Sequence, residues 1–211
     1  MEAWVGGEDF VGIWAIYTGA NLAPFGGIHE DGFRVRAVLG YGDYDTGRVS
    51  FAELLLGYHK QLGPLTLKVL AGMAVAEHRP REEHPAVEGT GLGGKGILEA
   101  WWNIADQYWL AADLAGALLE MERGSRVEYA GRIRLGWRFR PELSVGLEGG
   151  ARGTPFVAPD RDVSRAGVFM RYEWMGTEVS VSGGLAVIDA FEDERQRATG
   201  PYGTVSVSTR F

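Results

Sequence analysis

The chain has 211 residues, 45% of them apolar, with a formal net charge of −7 and no cysteine. Those figures exclude a disulfide framework and a thiolate metal site, and an acidic chain lacks the basic face that nucleic acid requires. No stretch approaches the ~18 to 20 consecutive apolar residues of a membrane helix. A transmembrane barrel escapes that test, because its lipid-facing and lumen-facing residues alternate and average out.

Glycine is abundant, 32 residues, about twice the ~7% of ordinary usage. Seven Trp, eight Tyr and nine Phe are many for this length, and such rings suit a membrane–water boundary. Met1-Glu2-Ala3-Trp4 has neither a basic n-region nor an apolar h-region. An outer-membrane protein with this sequence is therefore expected in its mature form, behind an added start methionine.

Along the chain the dominant signal is period-2 alternation, the pattern of strands with two unlike faces. Segment 12–22 is strand-like but untidy. In 33–41, Phe33, Val35, Leu39 and Tyr41 oppose Arg34 and Arg36. Segment 49–60 is again less regular. In 65–75, Leu65, Leu67, Val69, Met73 and Val75 oppose Thr66 and Lys68. Segment 92–104 follows. Segment 107–121 is rich in Ala and Leu and could pass for a helix, but Asp113 and the pattern of its neighbours assign it to a strand.

Segment 126–139 is the cleanest: Val127, Tyr129, Ile133, Leu135, Trp137 and Phe139 face one way, and Arg126, Glu128, Arg132, Arg134 and Arg138 the other. A helix would smear those charges around its circumference. Shorter alternating runs follow at 143–148, 166–174, 178–187 and 203–211. The reading is an all-β, antiparallel, up-and-down transmembrane barrel of about twelve strands, one domain over residues 1–211.

Connection lengths test that reading independently. Counting back from the C-terminus, one set of turns falls near 175–177, 139–142, 104–107, 61–64 and 23–31. The other falls near 190–200, 153–163, 122–125, 78–91, 45–48 and 9–11, and holds the three longest polar connections. Short turns on one side and long loops on the other is outer-membrane topology. A soluble β-sandwich also alternates, but it has no reason to keep that parity. Phe33, Tyr58, Trp102, Tyr108, Trp137, Phe139, Trp174 and Phe211 come out near the short-turn rim as an aromatic girdle, and Tyr41 and Tyr129 near the other. The terminal Phe211, after Val205, Val207 and Thr209, resembles the strand ending that the outer-membrane assembly machinery reads.

Twelve strands ~4.8 Å apart and tilted ~40° enclose a cylinder roughly 24 Å across. Its interior is expected to hold Arg34, Arg36, Glu53, Lys68, Lys95, Glu99, Asp113, Glu128, Arg132, Arg134, Glu148, Arg171 and Glu178, with Arg134 opposing Glu148 and Glu53 opposing Lys68. Two readings of such a lumen stay open. One is a salt-bridged, water-filled core with little open pore, the other a narrow conduit whose arginines grip sugars or anions.

No catalytic site assembles. His29 falls in a turn, His78 and His84 in a charged loop, and His59 in a strand too far from Ser50 to pair with it. His78, Glu82, Glu83 and His84 have metal-ligand chemistry, but interleaved Arg and Pro read as a solvated loop. The acidic runs Glu82-Glu83 and Glu192-Asp193-Glu194 could bridge lipopolysaccharide through divalent cations, or be soluble charge. No cofactor or metal is expected.

The segments DGFRVRAVLGYGDY (31–44), AELLLGYHKQLGPLTLKVLAGMAVAEH (52–78) and GTGLGGKGILEAWW (89–102) resemble the BcsS family of cellulose biosynthesis proteins. The likeness lies in an arginine-alternating Gly-Phe strand ending Gly-Tyr-Gly (32–42), a Leu-Gly-Tyr strand (56–58), Gly-x-Leu-Thr-Leu (63–67) and a Gly-x-Lys…Glu-x-Trp strand (93–101). It covers the first half; beyond about 105 spacing carries it. The resemblance implies a bacterial outer-membrane barrel tied to cellulose-type exopolysaccharide, and it brings no catalytic site. Its implied partners are outer-membrane lipid and lipopolysaccharide, the assembly machinery, and exopolysaccharide or its secretion apparatus. The function expected is a non-enzymatic export or anchoring barrel. Alternatives are a small passive channel, a structural or adhesive barrel acting through its long loops, and, least favoured, a lipid-modifying enzyme.

Overall fold

Alternating apolar and polar side chains are satisfied on both faces of a closed sheet when the apolar face meets lipid and the polar face lines a shared interior. The computed structural model, which describes residues 1–10, 12–44, 47–81, 89–121, 124–153, 161–190 and 198–211, has this arrangement. Twelve strands follow one another: β1 (Glu2–Phe10), β2 (Ile13–Leu22), β3 (Gly32–Tyr44), β4 (Gly47–Leu62), β5 (Leu65–Pro80), β6 (Gly89–Asn103), β7 (Tyr108–Met121), β8 (Gly124–Arg140), β9 (Leu143–Gly153), β10 (Arg161–Trp174), β11 (Thr177–Ala190) and β12 (Ala198–Arg210). Each pairs antiparallel with its sequence neighbours, and β1 pairs with β12, from Glu2 opposite Arg210 to Phe10 opposite Tyr202, to close the barrel. Closure removes both sheet edges, so every strand has a hydrogen-bonded neighbour on each side.

Both termini lie at one rim, where the Met1 ammonium donates to the Phe211 carbonyl at 3.0 Å and the Phe211 N–H to the Met1 carbonyl at 2.8 Å. At this terminal rim Met175 and Gly176 both take positive φ, 49° and 79°, the geometry of a tight hairpin turn matched to strand twist. The Ala- and Leu-rich 107–121 segment is β7, because a continuous ladder to β6 and β8 overrides its local helical propensity.

Several sequence expectations need correction. The strands run longer than their alternating cores, so β9 extends to Gly153 and β5 to Pro80. His78 therefore lies inside β5 and is buried, not in a loop. The side connections shrink accordingly, and the 23–31 connection at the terminal rim is as long as any opposite it. Residues 82–88, 154–160 and 191–197, which carry Glu82, Glu83, His84 and the 192–194 acidic run, lie outside the described residues.

The outer wall is a belt of exposed Ile, Leu, Val and Met such as Ile16, Leu39, Leu56, Val69, Leu98, Ile133, Leu147, Val168 and Leu185, while Arg34, Arg36, Glu53, Glu128, Glu148 and Arg171 are buried. That inverts a water-soluble protein and fits a chain whose outside meets hydrocarbon.

The interior also accounts for part of the glycine content. Large inward rings lie flat over inward glycines of the next strand: Tyr17 over Gly6, Trp4 over Gly19, Phe51 over Gly40 and Trp109 over Gly136. A Cβ at Gly136 would sit 2.2 Å from Trp109 Cε2, so any larger residue there would lift the ring off the wall.

Candidate functional site: the lumen and its terminal vestibule

All thirteen charged residues read from the alternation sit on the inward parity of their strands, and the register brings them into layers. Nearest the terminal rim, Arg171 bonds Glu173 at 2.6 Å and Glu178 at 2.8 Å, and Arg210 reaches Glu2 at 3.1 Å, Glu173 at 3.4 Å and Glu178 at 3.8 Å. At mid-height, Arg36 crosses from β3 to Glu99 on β6 at 2.6 Å, and Lys68 lies 3.4 Å from Glu99 and 3.9 Å from Glu2. Asn21 links the two, accepting from Arg36 Nε and donating to Glu2. Arg132 forks onto one oxygen of Asp113 at 3.0 and 2.8 Å.

Higher still, Glu8 bonds Arg152 and, at 3.2 Å, Arg165. Glu148 takes Arg165 at 3.7 Å with hydrogen bonds from Ser182 and Tyr202. Glu53 pairs with Lys95 two strands away. The expected Glu53–Lys68 opposition does not form, since Ala74 is the register partner of Glu53 and His59 that of Lys68. Arg134 is the register partner of Glu148, yet its guanidinium turns toward the faces of Trp109 and Phe169, 5.9 and 5.6 Å from their centroids. Among the described residues, neither buried carboxylate oxygen of Glu128 has a hydrogen-bond partner.

The inward wall is not charged throughout. Toward the loop rim it becomes a packed apolar layer of Phe10, Ile13, Tyr44, Val49, Ala74, Ala76, Leu119, Val163, Ala186, Ile188 and Tyr202, none more than 5% exposed, with Phe51 and Ala198 against it. These residues come from nine strands, β1 to β5, β7 and β10 to β12. The layer therefore runs around most of the bore, and its side chains pack on one another with almost no exposure to lumenal water.

Among the described residues, the lumen below that layer holds compartments of about 380, 270 and 370 Å³ in order from the terminal rim, the first two mainly polar and the last of mixed character. The first two share Glu2, Lys68 and Glu178; the second and third share Tyr17, Arg36, Glu99, Asp113 and Arg132. Inside the barrel these compartments follow one another from the terminal rim toward the apolar layer, each sharing wall residues with the next.

At the terminal rim the 23–31 connection turns in over this space. Arg34, 2% exposed, reaches its carbonyls through Nη2: Glu30 O at 2.5 Å, Ile28 O at 3.0 Å and Gly27 O at 3.3 Å. His59 Nδ1 lies 2.9 Å from that Nη2 and 3.0 Å from Glu30 O. This engagement, not a serine, is what occupies His59. Asp31 closes the far side, accepting from the Gln61 N–H at 2.7 Å and from Lys60. The Lys60 ammonium, then the Gln61 N–H, hold the Asp31 carboxyl below the usual carboxylate range. Ile28 and His29 reach the first compartment as part of its lining.

The expected lumen set left out two groups of residues. Glu2, Glu8, Arg152 and Arg165 face inward on strands whose ends were read too short or too coarsely, while Arg138, Glu173 and Arg210 stand on the polar face that alternation had already separated. Nine aromatics, Trp4, Phe10, Tyr17, Tyr44, Phe51, Trp101, Trp109, Phe169 and Tyr202, also stand on inward parity, where rim positions alone were expected. The signal was available: Trp101 shares parity with Lys95 and Glu99, and Phe169 with Arg171. The eight aromatics of the expected girdle stand on the outer side toward the terminal rim, from 43% exposed (Tyr58, Phe139) to 76% (Phe211). Among them Phe33 meets Tyr58 edge-on at 5.4 Å.

A closed twelve-strand antiparallel barrel with an apolar exterior and an ion-paired interior defines a transmembrane β-barrel. Solved structures of the same outline include the KdgM porin (11% identity, TM-score 0.56, covering 100% of this chain and 99% of that one), also solved in complex with oligogalacturonate. They also include LpxR from Salmonella typhimurium (9%, 0.54, 100% of each chain) and the β domain of the Bordetella autotransporter BrkA (11%, 0.56, 100% and 99%). No curated protein matches the chain in sequence. The model of the family described as cellulose biosynthesis protein BcsS matches residues 4–211, and the chain belongs to that family.

Proposed function

We propose that this chain is a non-conducting, non-enzymatic barrel of the bacterial outer membrane, serving cellulose-type exopolysaccharide production as a scaffold or anchor. The apolar layer in the bore carries the reading. Ions and hydrated sugars would have to cross tightly packed Phe10, Tyr44, Leu119 and Tyr202, where burying a polar group without a partner costs several kcal/mol. Family membership supplies the link to cellulose. In this reading the terminal rim faces the periplasm, lipid and lipopolysaccharide surround the apolar belt, and Phe211 closes the strand that the assembly machinery reads. Among the described residues, ten of the thirteen inward charges, all but Arg34, Glu128 and Arg134, hold the barrel's cross-section by ion pairing, and the eight outward aromatics anchor it at the periplasmic boundary.

The test is conductance in a planar bilayer, after heat-modifiable migration has established the folded barrel. Wild type should be silent, and Phe10→Ala with Tyr44→Ala and Tyr202→Ala should produce steps. Steps from wild type would discard the plugged reading. The second reading, a small porin-like channel, would then take over; the succession of compartments below the layer and the likeness to KdgM favour it.

A further inference from the structure

The first lumenal compartment, about 380 Å³ at the terminal rim, contains an aromatic surface that the ion-pair network does not explain. Trp101 stacks on Trp109 with centroids 4.1 Å apart and planes 17° from parallel. Trp109 is fully buried and continues the contact to Phe169 at 5.4 Å. The Arg171 guanidinium carbon is 5.1 Å from the Trp101 centroid and 5.8 Å from that of Trp109. With the rings 4.1 Å apart, those distances put it beside the stack, not on the outer face of Trp101. Among the described residues no other ring or cation covers Trp101.

The indole N–H donates to Asn103 Oδ1 at 3.1 Å, and Arg138 donates to the same oxygen at 2.6 Å. The ring is thus backed, hydrogen-bonded and oriented without a ligand, which is the preorganisation that binding favours. Its lumenal surroundings are polar but already matched: Glu173 and Glu178 by Arg171 and Arg210, Glu2 by Arg210 and Lys68.

We propose that this vestibule binds the end of a neutral β-linked glucan arriving from the periplasmic side, with one pyranose ring stacked on Trp101 and its hydroxyls among Asn103, Arg138 and Gln61. This rests on the reading of the barrel as a cellulose-type exopolysaccharide component. A β-linked glucose ring carries its hydroxyls equatorially and presents C–H groups on both faces, a shape that packs on an aromatic plane. Arg171 and Arg210 are already paired with carboxylates, and Arg138 is engaged by Asn103 Oδ1 and the Asp106 carbonyl at 3.2 Å. Carboxylates on every ring would have to compete with all of these, so the charge pattern favours a neutral chain.

The experiment is isothermal titration of the full-length, heat-modifiable protein in detergent with cellohexaose, and with trigalacturonate as the anionic comparison. Cellohexaose should bind and trigalacturonate should not. Trp101→Ala should weaken cellohexaose by about tenfold or more, Trp101→Phe should retain part of the affinity, and Trp102→Ala, on the outer wall, should change nothing. No heat with wild type at millimolar sugar, or unchanged binding in a folded Trp101→Ala barrel, would overturn the proposal, as would tighter binding of trigalacturonate. Conductance of the same preparations separates the two claims. Silence without sugar binding rejects the vestibule and leaves the plugged barrel standing; steps in wild type reject the plugged barrel whatever the titration reads.

Discussion

Arg34→Met tests what holds the 23–31 connection over the vestibule. Nη2 has two hydrogens and three backbone carbonyls within 3.3 Å, so about two charge-assisted bonds hold the connection at any moment. Each contributes roughly 1.5 to 3 kcal/mol. Methionine fills the same volume but donates nothing, and vestibule water can rehydrate part of what is lost. The net loss is about 2 to 4 kcal/mol of local stability, with the barrel itself intact. A tenfold change corresponds to about 1.4 kcal/mol, so amide exchange in the connection should accelerate roughly 30-fold to 1,000-fold. The reporter is the Glu30 amide, bonded to Gly27 O at 3.2 Å, followed by hydrogen exchange in detergent. Arg34→Lys, a point charge without the fork, should fall between the two. If the Arg34→Met protein keeps its heat-modifiable mobility and exchanges Glu30 within about threefold of wild type, Arg34 does not pin the turn.

Three further outcomes follow from the same geometry. Asp31 is held below its ordinary value of about 3.9, so its tie to Lys60 and Gln61 is fully present above that value and lost as pH falls through the lowered one. Exchange at the Gln61 amide, corrected for intrinsic rate, should stay flat near neutrality and quicken below about pH 4; Asp31→Asn should be fast already at neutral pH, and a flat profile throughout would refute the tie. Glu8→Gln leaves Arg152 and Arg165 inside the barrel against a neutral partner, and should lower urea stability by about 3 kcal/mol; a change under about 1 kcal/mol would mean chamber water already screens the cluster. Gly136→Val drives a Cβ into Trp109 and should cost about 1 to 3 kcal/mol. The near-ultraviolet dichroism of the Trp101–Trp109 pair should collapse with it, and survival of that signal would show that the ring does not need the bare glycine.

Particular strands show how far the sequence alone reaches. Period 2 decides which side of the sheet a residue faces, so Arg132 and Arg134 in β8 could be placed inside, and Ile133 and Leu135 outside, without any coordinates. Turn spacing placed the connections and the shared end of the two termini, because an even number of antiparallel strands leaves both ends on one rim. The 107–121 segment was legible only through its neighbours, since its composition alone suits a helix.

Alternation carries no information about angular position around the barrel or height along it. Glu53 and Lys68 sit on neighbouring strands with matching parity, yet Glu53 bonds Lys95 and Lys68 bonds Glu99. Side chains long enough to cross the bore choose partners by the stagger at closure, a property of the whole cylinder. The apolar layer was hidden for the same reason: Phe10, Leu119 and Tyr202 are far apart in sequence, and only closure brings them to one height. The Trp101–Trp109 stack likewise needed two strands in register and a bare Gly136 on a third. Period 2 and turn spacing settle the barrel and the side each residue faces, whereas closure of the cylinder stacks Phe10, Leu119 and Tyr202 into one apolar layer and sets where the vestibule opens.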